Sequence, residues 1–112
     1  MEVNIKKCGD WKVLTLTEER LDRCLAATFK DELTKAISDG TKNILLELSA
    51  VKFIDSSGLG TLLSCRERVE GRLAIASAPR GLQKQLKLTD QHETFQLVGT
   101  PEELLGEEES PR

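Results

Sequence analysis

Phe53-Ile54-Asp55-Ser56-Ser57-Gly58-Leu59-Gly60 joins a short apolar run, Val51 to Ile54, to a helical pattern in which Leu59, Leu62, Leu63 and Val69 share one face. Gly71 closes that pattern. A buried segment that meets a helix start within a few residues is the building unit of an α/β domain. The two hydroxyls, Ser56 and Ser57, fall where the first backbone N–H groups of a helix lack intrahelical partners. The plainest local reading is that one serine caps the helix. With Ser57 as the cap, Ser56 points outward, and Gly58 and Gly60 let a partner's backbone approach closely. Spacing alone does not rank the two serines.

Working outward, Asn43 to Ser49 reads as a central strand, with Ile44, Leu46 and Leu48 on one side, Leu45 on the other and Glu47 as its polar interruption. Before it, Leu25, Phe29, Leu33, Ala36 and Ile37 recur at helical spacing and Gly40 stops the helix, while Thr17 to Arg23 is a polar connection. Val3 to Ile5 and Trp11 to Leu16 alternate around Gly9-Asp10, as an N-terminal β-hairpin does. Downstream lie a short strand, Leu73 to Ala76, and a helix opened by Pro79 that carries Leu82, Leu86 and Leu88. A last strand, Phe95 to Val98, precedes a final helix with Thr100 as N-cap and Pro101 in its first turn. The order β-β-α-β-α-β-α-β-α predicts an α/β fold: a mixed sheet, hairpin plus parallel strands joined by right-handed crossovers, packed with about four helices. It forms one domain over residues 1–106, followed by a disordered acidic tail at 107–112.

The chain's 112 residues, 38% hydrophobic and 31% charged, suit a single core that needs no disulfide or metal staple. Cys8, Cys24 and Cys65 form no Cys-x-x-Cys pair, which argues for reduced thiols and against a structural zinc site. Apolar runs are far shorter than a spanning helix and Met1 to Ile5 lacks a signal-peptide pattern, so the expected location is the cytoplasm without direct membrane insertion. Of the net charge of −3, five glutamates fall in the last eleven residues; the rest of the chain is close to neutral and has four aromatics, a poor nucleic-acid surface. Lys6 and Lys7 beside the outer edge Val3 to Ile5 discourage strand pairing between copies, so a monomer is expected. Arg80, Lys84 and Lys87 make a basic stripe that reads as a solvated helix face.

Catalytic motifs are missing. His92 is the single histidine and sits in a polar stretch, Thr89 to Thr94, with nothing to bring it to Ser56 as an activating base. Neither Gly-x-Ser-x-Gly, nor the P-loop pattern, nor a His-Glu-x-x-His zinc motif occurs. The expectation is a binding protein with no catalytic residues, no metal and no cofactor.

Asp55 to Gly60, with Arg20-Leu21-Asp22 before the first helix and Leu73 to Ser77 after the second, resembles the STAS domain of bacterial anti-sigma factor antagonists, over roughly residues 3 to 105. In that family the serine directly after the aspartate is phosphorylated by an anti-sigma factor kinase; by motif it corresponds to Ser56. The resemblance implies a partner switch: the unphosphorylated protein binds the kinase and frees a sigma factor for transcription, phosphorylation ends binding, and a phosphatase resets the serine. It places Asp22, Asp55, Ser56, Ser57, Gly58 and Leu59 in the partner-binding surface. Glu19 stands where the family's Gly-x-Leu-Asp stretch has glycine, which sets a contact role for Asp22 against that of a helix cap.

A phosphoserine carries about −1.5 to −2 charges and is favoured at a helix N-terminus, although here it sits beside Asp55. Modification therefore changes the surface without unfolding the chain. The alternative is a STAS accessory subunit of a lipid-transport ATPase or a signalling scaffold, in which the same surface docks constitutively and the serines only cap. A nucleotide-binding module is a third class, unsupported by any phosphate-cradling glycine motif.

Overall fold

Gly9, at φ +60°, reverses the chain between β1 (Val3–Cys8) and β2 (Trp11–Leu16), a two-residue hairpin whose strands pair from Val3↔Leu16 to Cys8↔Trp11. A glycine at the first central position is what a II′ turn requires. The structure is a computed structural model that describes residues 3–88 and 95–103. β2 pairs in parallel with β4 (Asn43–Glu47), β4 with β6 (Leu73–Ala76) and β6 with β7 (Gln96–Val98). The sheet order is β1-β2-β4-β6-β7, so every strand lies beside its neighbour in sequence and the antiparallel hairpin strand forms one edge. The mixed-sheet expectation holds, including the central place of β4.

Three helices occupy the crossovers: α1 (Arg23–Ile37), α2 (Ser56–Arg68) and α3 (Arg80–Leu88). Their apolar stripes, Phe29, Leu33 and Ala36, then Leu62 and Cys65, then Leu82 and Leu86, form one buried cluster with Leu14, Leu16, Ile44, Leu46, Leu48, Leu73 and Ile75 of the sheet. Each fully buried leucine-sized side chain contributes about 1.5–3 kcal/mol. The opposite sheet face carries a second cluster of Cys8, Trp11, Val13, Leu45, Ala74 and Ala76. There the Arg72 guanidinium lies 4.9 Å from the Trp11 ring centroid. Glu47 is buried on this face, and its carboxylate accepts the Ser49 N–H at 2.7 Å.

Three details differ from expectation. Within the polar connection before α1, Arg20–Leu21 forms a strand, β3, paired in parallel with Phe53–Ile54, β5, as a separate two-stranded sheet. The segment before α2 is only partly buried: Val51 and Ile54 are inside, whereas Lys52 is exposed and Phe53 is 44% exposed. Pro79 precedes α3 and supplies the carbonyl that accepts the Gln83 N–H at 3.0 Å. Thr100 stands at the expected N-cap position, where the Glu103 carboxylate reaches back to accept the Thr100 N–H at 3.0 Å, one half of a capping box. Residues 101–103 are helical. The expected domain end at residue 106, the tail and His92 lie outside the described residues.

Candidate functional site

α1 and α2 begin side by side, and aspartates cap both. Asp22 is extended at φ −125° and its Oδ1 accepts the Cys24 N–H at 3.0 Å; Asp55, at φ −91° and ψ −176°, accepts the Gly58 N–H at 2.9 Å. An aspartate at this position satisfies an otherwise orphaned amide and places negative charge against the positive end of the helix. The Asp55 N–H donates to the Leu21 carbonyl at 3.3 Å, so the residue before one cap holds the other. Glu19 adds a second tie, its carbonyl accepting the N–H groups of Lys52 at 2.7 Å and Phe53 at 3.1 Å.

Gly58 makes this approach possible. A Cβ there would lie 2.4 Å from the Leu21 carbonyl oxygen and 2.9 Å from Ile54 Cγ2. The close contact that a glycine was expected to offer a partner is thus used inside the chain, and Gly58 is buried. Gly60 is exposed with open space above it.

The two serines separate. Neither caps α2, because Asp55 does. Ser56 is the first helical residue and is exposed, while Ser57 is half-buried and its carbonyl accepts the Thr61 hydroxyl at 2.9 Å. Among the described residues the Ser56 hydroxyl makes no hydrogen bond. Leu59 is half-buried against the core. Asp22, Arg23, Cys24, Asp55, Ser56 and Ser57 line one cleft of about 380 Å³. Of the six residues assigned to the surface, the structure brings Asp22, Asp55, Ser56 and Ser57 together and turns Gly58 inward.

On the far side of Asp22 a second cleft, of about 510 Å³, runs along Thr17, Glu18, Glu19, Arg20, Cys24 and Leu25. Arg20 stands over the exposed Phe53 ring, 4.7 Å from its centroid, with its Nε 3.7 Å from the Asp22 carboxylate. Arg23, Cys24 and the Arg20–Phe53 pair escaped the sequence reading. Arg23 and Cys24 directly follow the Asp22 cap, and that proximity was the available signal; Phe53 lay hidden in a segment read as wholly buried. Among the described residues no three His, Cys, Asp or Glu side chains converge as a metal site, and no helix is long and apolar enough to cross a membrane.

The site therefore belongs to an α/β domain that presents a free hydroxyl at the first turn of a helix, between two aspartate caps. The family model of the STAS domain matches residues 2–104, and the chain belongs to that family. A candidate anti-sigma factor antagonist from Thermotoga maritima superposes with a TM-score of 0.82 at 24% identity, over 94% of this chain and 92% of that one. The Bacillus cell fate determinant SpoIIAA in its phosphorylated form superposes at 0.72 with 21% identity, over 95% and 98%. The murine anion transporter Slc26a9 contains the same fold, with a TM-score of 0.75 and 12% identity over 95% of this chain and 19% of the transporter. At these identities the superpositions establish the shared fold.

Proposed function

We propose that this chain is an anti-sigma factor antagonist that works by partner switching. Unphosphorylated, it binds an anti-sigma factor of the serine-kinase type and so frees a sigma factor; phosphorylation of Ser56 ends that binding. The observation that carries this reading is the exposed, unbonded Ser56 hydroxyl on the first turn of α2, whose cap is already supplied by Asp55. A serine spared from capping can enter another protein's active site without cost to the helix.

In this role the chain is substrate and ligand. The Ser56 Oγ attacks the γ-phosphorus of ATP held by the kinase, the bond between that phosphorus and the β–γ bridging oxygen breaks, ADP departs, and the hydroxyl proton passes to a base on the kinase. The product carries about −1.5 to −2 charges in a cleft that already holds Asp22 and Asp55. At the centre of a docking patch, that charge weakens association through repulsion and desolvation, while the buried layers under α1 and α2 stay as they were. A phosphatase resets the serine by hydrolysis. Asp22, Asp55, Ser57 and the open face at Gly60 complete the patch, and Leu59 positions it from below.

The test mixes the purified chain with its kinase partner, with and without ATP, and follows intact mass and binding by calorimetry. The expected outcome is one phosphate, mapped to Ser56, and a loss of affinity of about 100-fold. S56A should stay unmodified and bound in ATP, and S57A should behave as the parent does. An S56A protein that still loses its partner on exposure to ATP would overturn the proposal. Constitutive docking to a lipid-transport ATPase or a signalling scaffold, the alternative assignment, predicts equal affinity in both conditions.

A further inference from the structure

Arg23 is the first helical residue of α1, lines the cleft that holds Ser56, and is exposed. Among the described residues its guanidinium makes no hydrogen bond and no ion pair. The neighbouring cations are engaged: Arg20 with Asp22 and the Phe53 ring, Lys52 with Glu19 at 3.8 Å. The cleft thus combines a phosphorylatable hydroxyl with an uncommitted guanidinium on the adjoining helix.

We propose that Arg23 captures the phosphate of phosphorylated Ser56 within the chain, drawing the phosphoryl group into the cleft between α1 and α2. The inference rests on the reading of Ser56 as the modified residue, and it adds where the phosphate goes once attached. The groups facing that position are Asp55 on its own helix start, Asp22, Arg23 and the Cys24 thiol from α1, and Arg20 behind Asp22. Without Arg23, two carboxylates would stand against a near-dianion. A guanidinium fits phosphate with paired N–H donors, offsets that repulsion and leaves both caps in place. Capture also removes Arg23 from the docking surface, so that one modification adds negative charge and withdraws a positive group from the partner.

The experiment uses the full chain with phosphoserine installed at position 56 during translation, so no kinase is needed, and follows the phosphorus resonance through a pH titration. Free phosphoserine has a second pKa of about 6. In R23Q that value should stand above the parent's by about half a unit, the shift a partly exposed ion pair supports. R23K should recover part of the difference, R20Q should shift the value less than R23Q, and 1 M salt should shrink the difference, since the Debye length is then about 3 Å. Superimposed titrations of parent and R23Q, or an R20Q shift as large as that of R23Q, would overturn the capture. Unphosphorylated R23Q should unfold at the parent's denaturant midpoint, because Arg23 is exposed and unbonded. If the kinase fails to modify Ser56, or binds both forms equally, the partner-switch reading falls; the resonance reports on capture in either case.

Discussion

Asp55 takes the capping position that the sequence left open between the two serines, and this decides what Ser56 is free to do. Asp, Ser and Ser are all good caps, so residue type could not choose among them. The choice comes from tertiary placement: the Asp55 N–H must reach Leu21, and that fixes where helical geometry begins. Gly58 and Gly60 lie one half-turn apart in the same helix and should respond oppositely to alanine. Helix propensity favours alanine at each by about 1 kcal/mol. At Gly60 the new methyl meets open space, so G60A should stabilise the chain by up to about that amount. At Gly58 it meets a backbone carbonyl that cannot swing away and a buried isoleucine branch, and overpacking of this kind costs about 1–3 kcal/mol. G58A should therefore unfold at lower urea than the parent and G60A at the same or higher urea. A G58A chain as stable as G60A would mean that α2 does not rest against Leu21.

At the scale of elements, legibility followed length. α1, α2 and β4 announce themselves because 15, 13 and 5 residues give apolar periodicity room to repeat. β3 and β5 have two residues each, too few for any period, and are created by the glycine contact and the Glu19 carbonyl, neither visible along the chain. The far end of α1 shows another non-local tie. The Lys12 ammonium, whose side chain is 13% exposed, donates to the Ala36 carbonyl at 2.8 Å and to the Asp39 carboxylate at 2.7 Å, joining β2 to the turn at Gly40. The Lys12 bond, helped by the Thr41 hydroxyl and amide, holds the Asp39 carboxyl well below its ordinary value of 3.8. A folded-state value below the unfolded one means that the unfolded chain binds more protons between the two. The stabilisation is therefore complete above about pH 4 and fades as pH falls through the folded value. D39N should lower the urea midpoint at pH 7, and the gap from the parent should narrow at pH 2. A gap equal at both values would assign the loss to the side chain's shape and not to its charge.

The whole molecule is a sheet with two unequal interiors, and its three cysteines happen to sample different depths of it. Cys24 is exposed beside the Ser56 cleft, Cys8 is buried at the hairpin turn in the smaller cluster, and Cys65 is buried between α2 and the sheet in the larger one. Burial pushes the Cys65 thiol up to about 11, so at pH 8 it is protonated as well as covered. A disulfide reagent at pH 8 should modify Cys24 at once. Cys8, one residue from a turn at the sheet edge, should follow through local opening, and Cys65 should wait for the layer of helices to leave the sheet. When reclosing is faster than labelling, the Cys65 rate is the intrinsic thiol rate scaled by the fraction of open molecules. Removing a buried methyl cluster under α1, as in L33A, costs about 2–5 kcal/mol and should speed Cys65 labelling by roughly 30-fold or more, with no change at Cys24. Mass mapping of the labelled peptides against time reads all three rates in one experiment. Cys65 labelling as fast as that of Cys24 would show that α2 is not seated on the sheet, and the cleft built from its first turn could then not hold its shape.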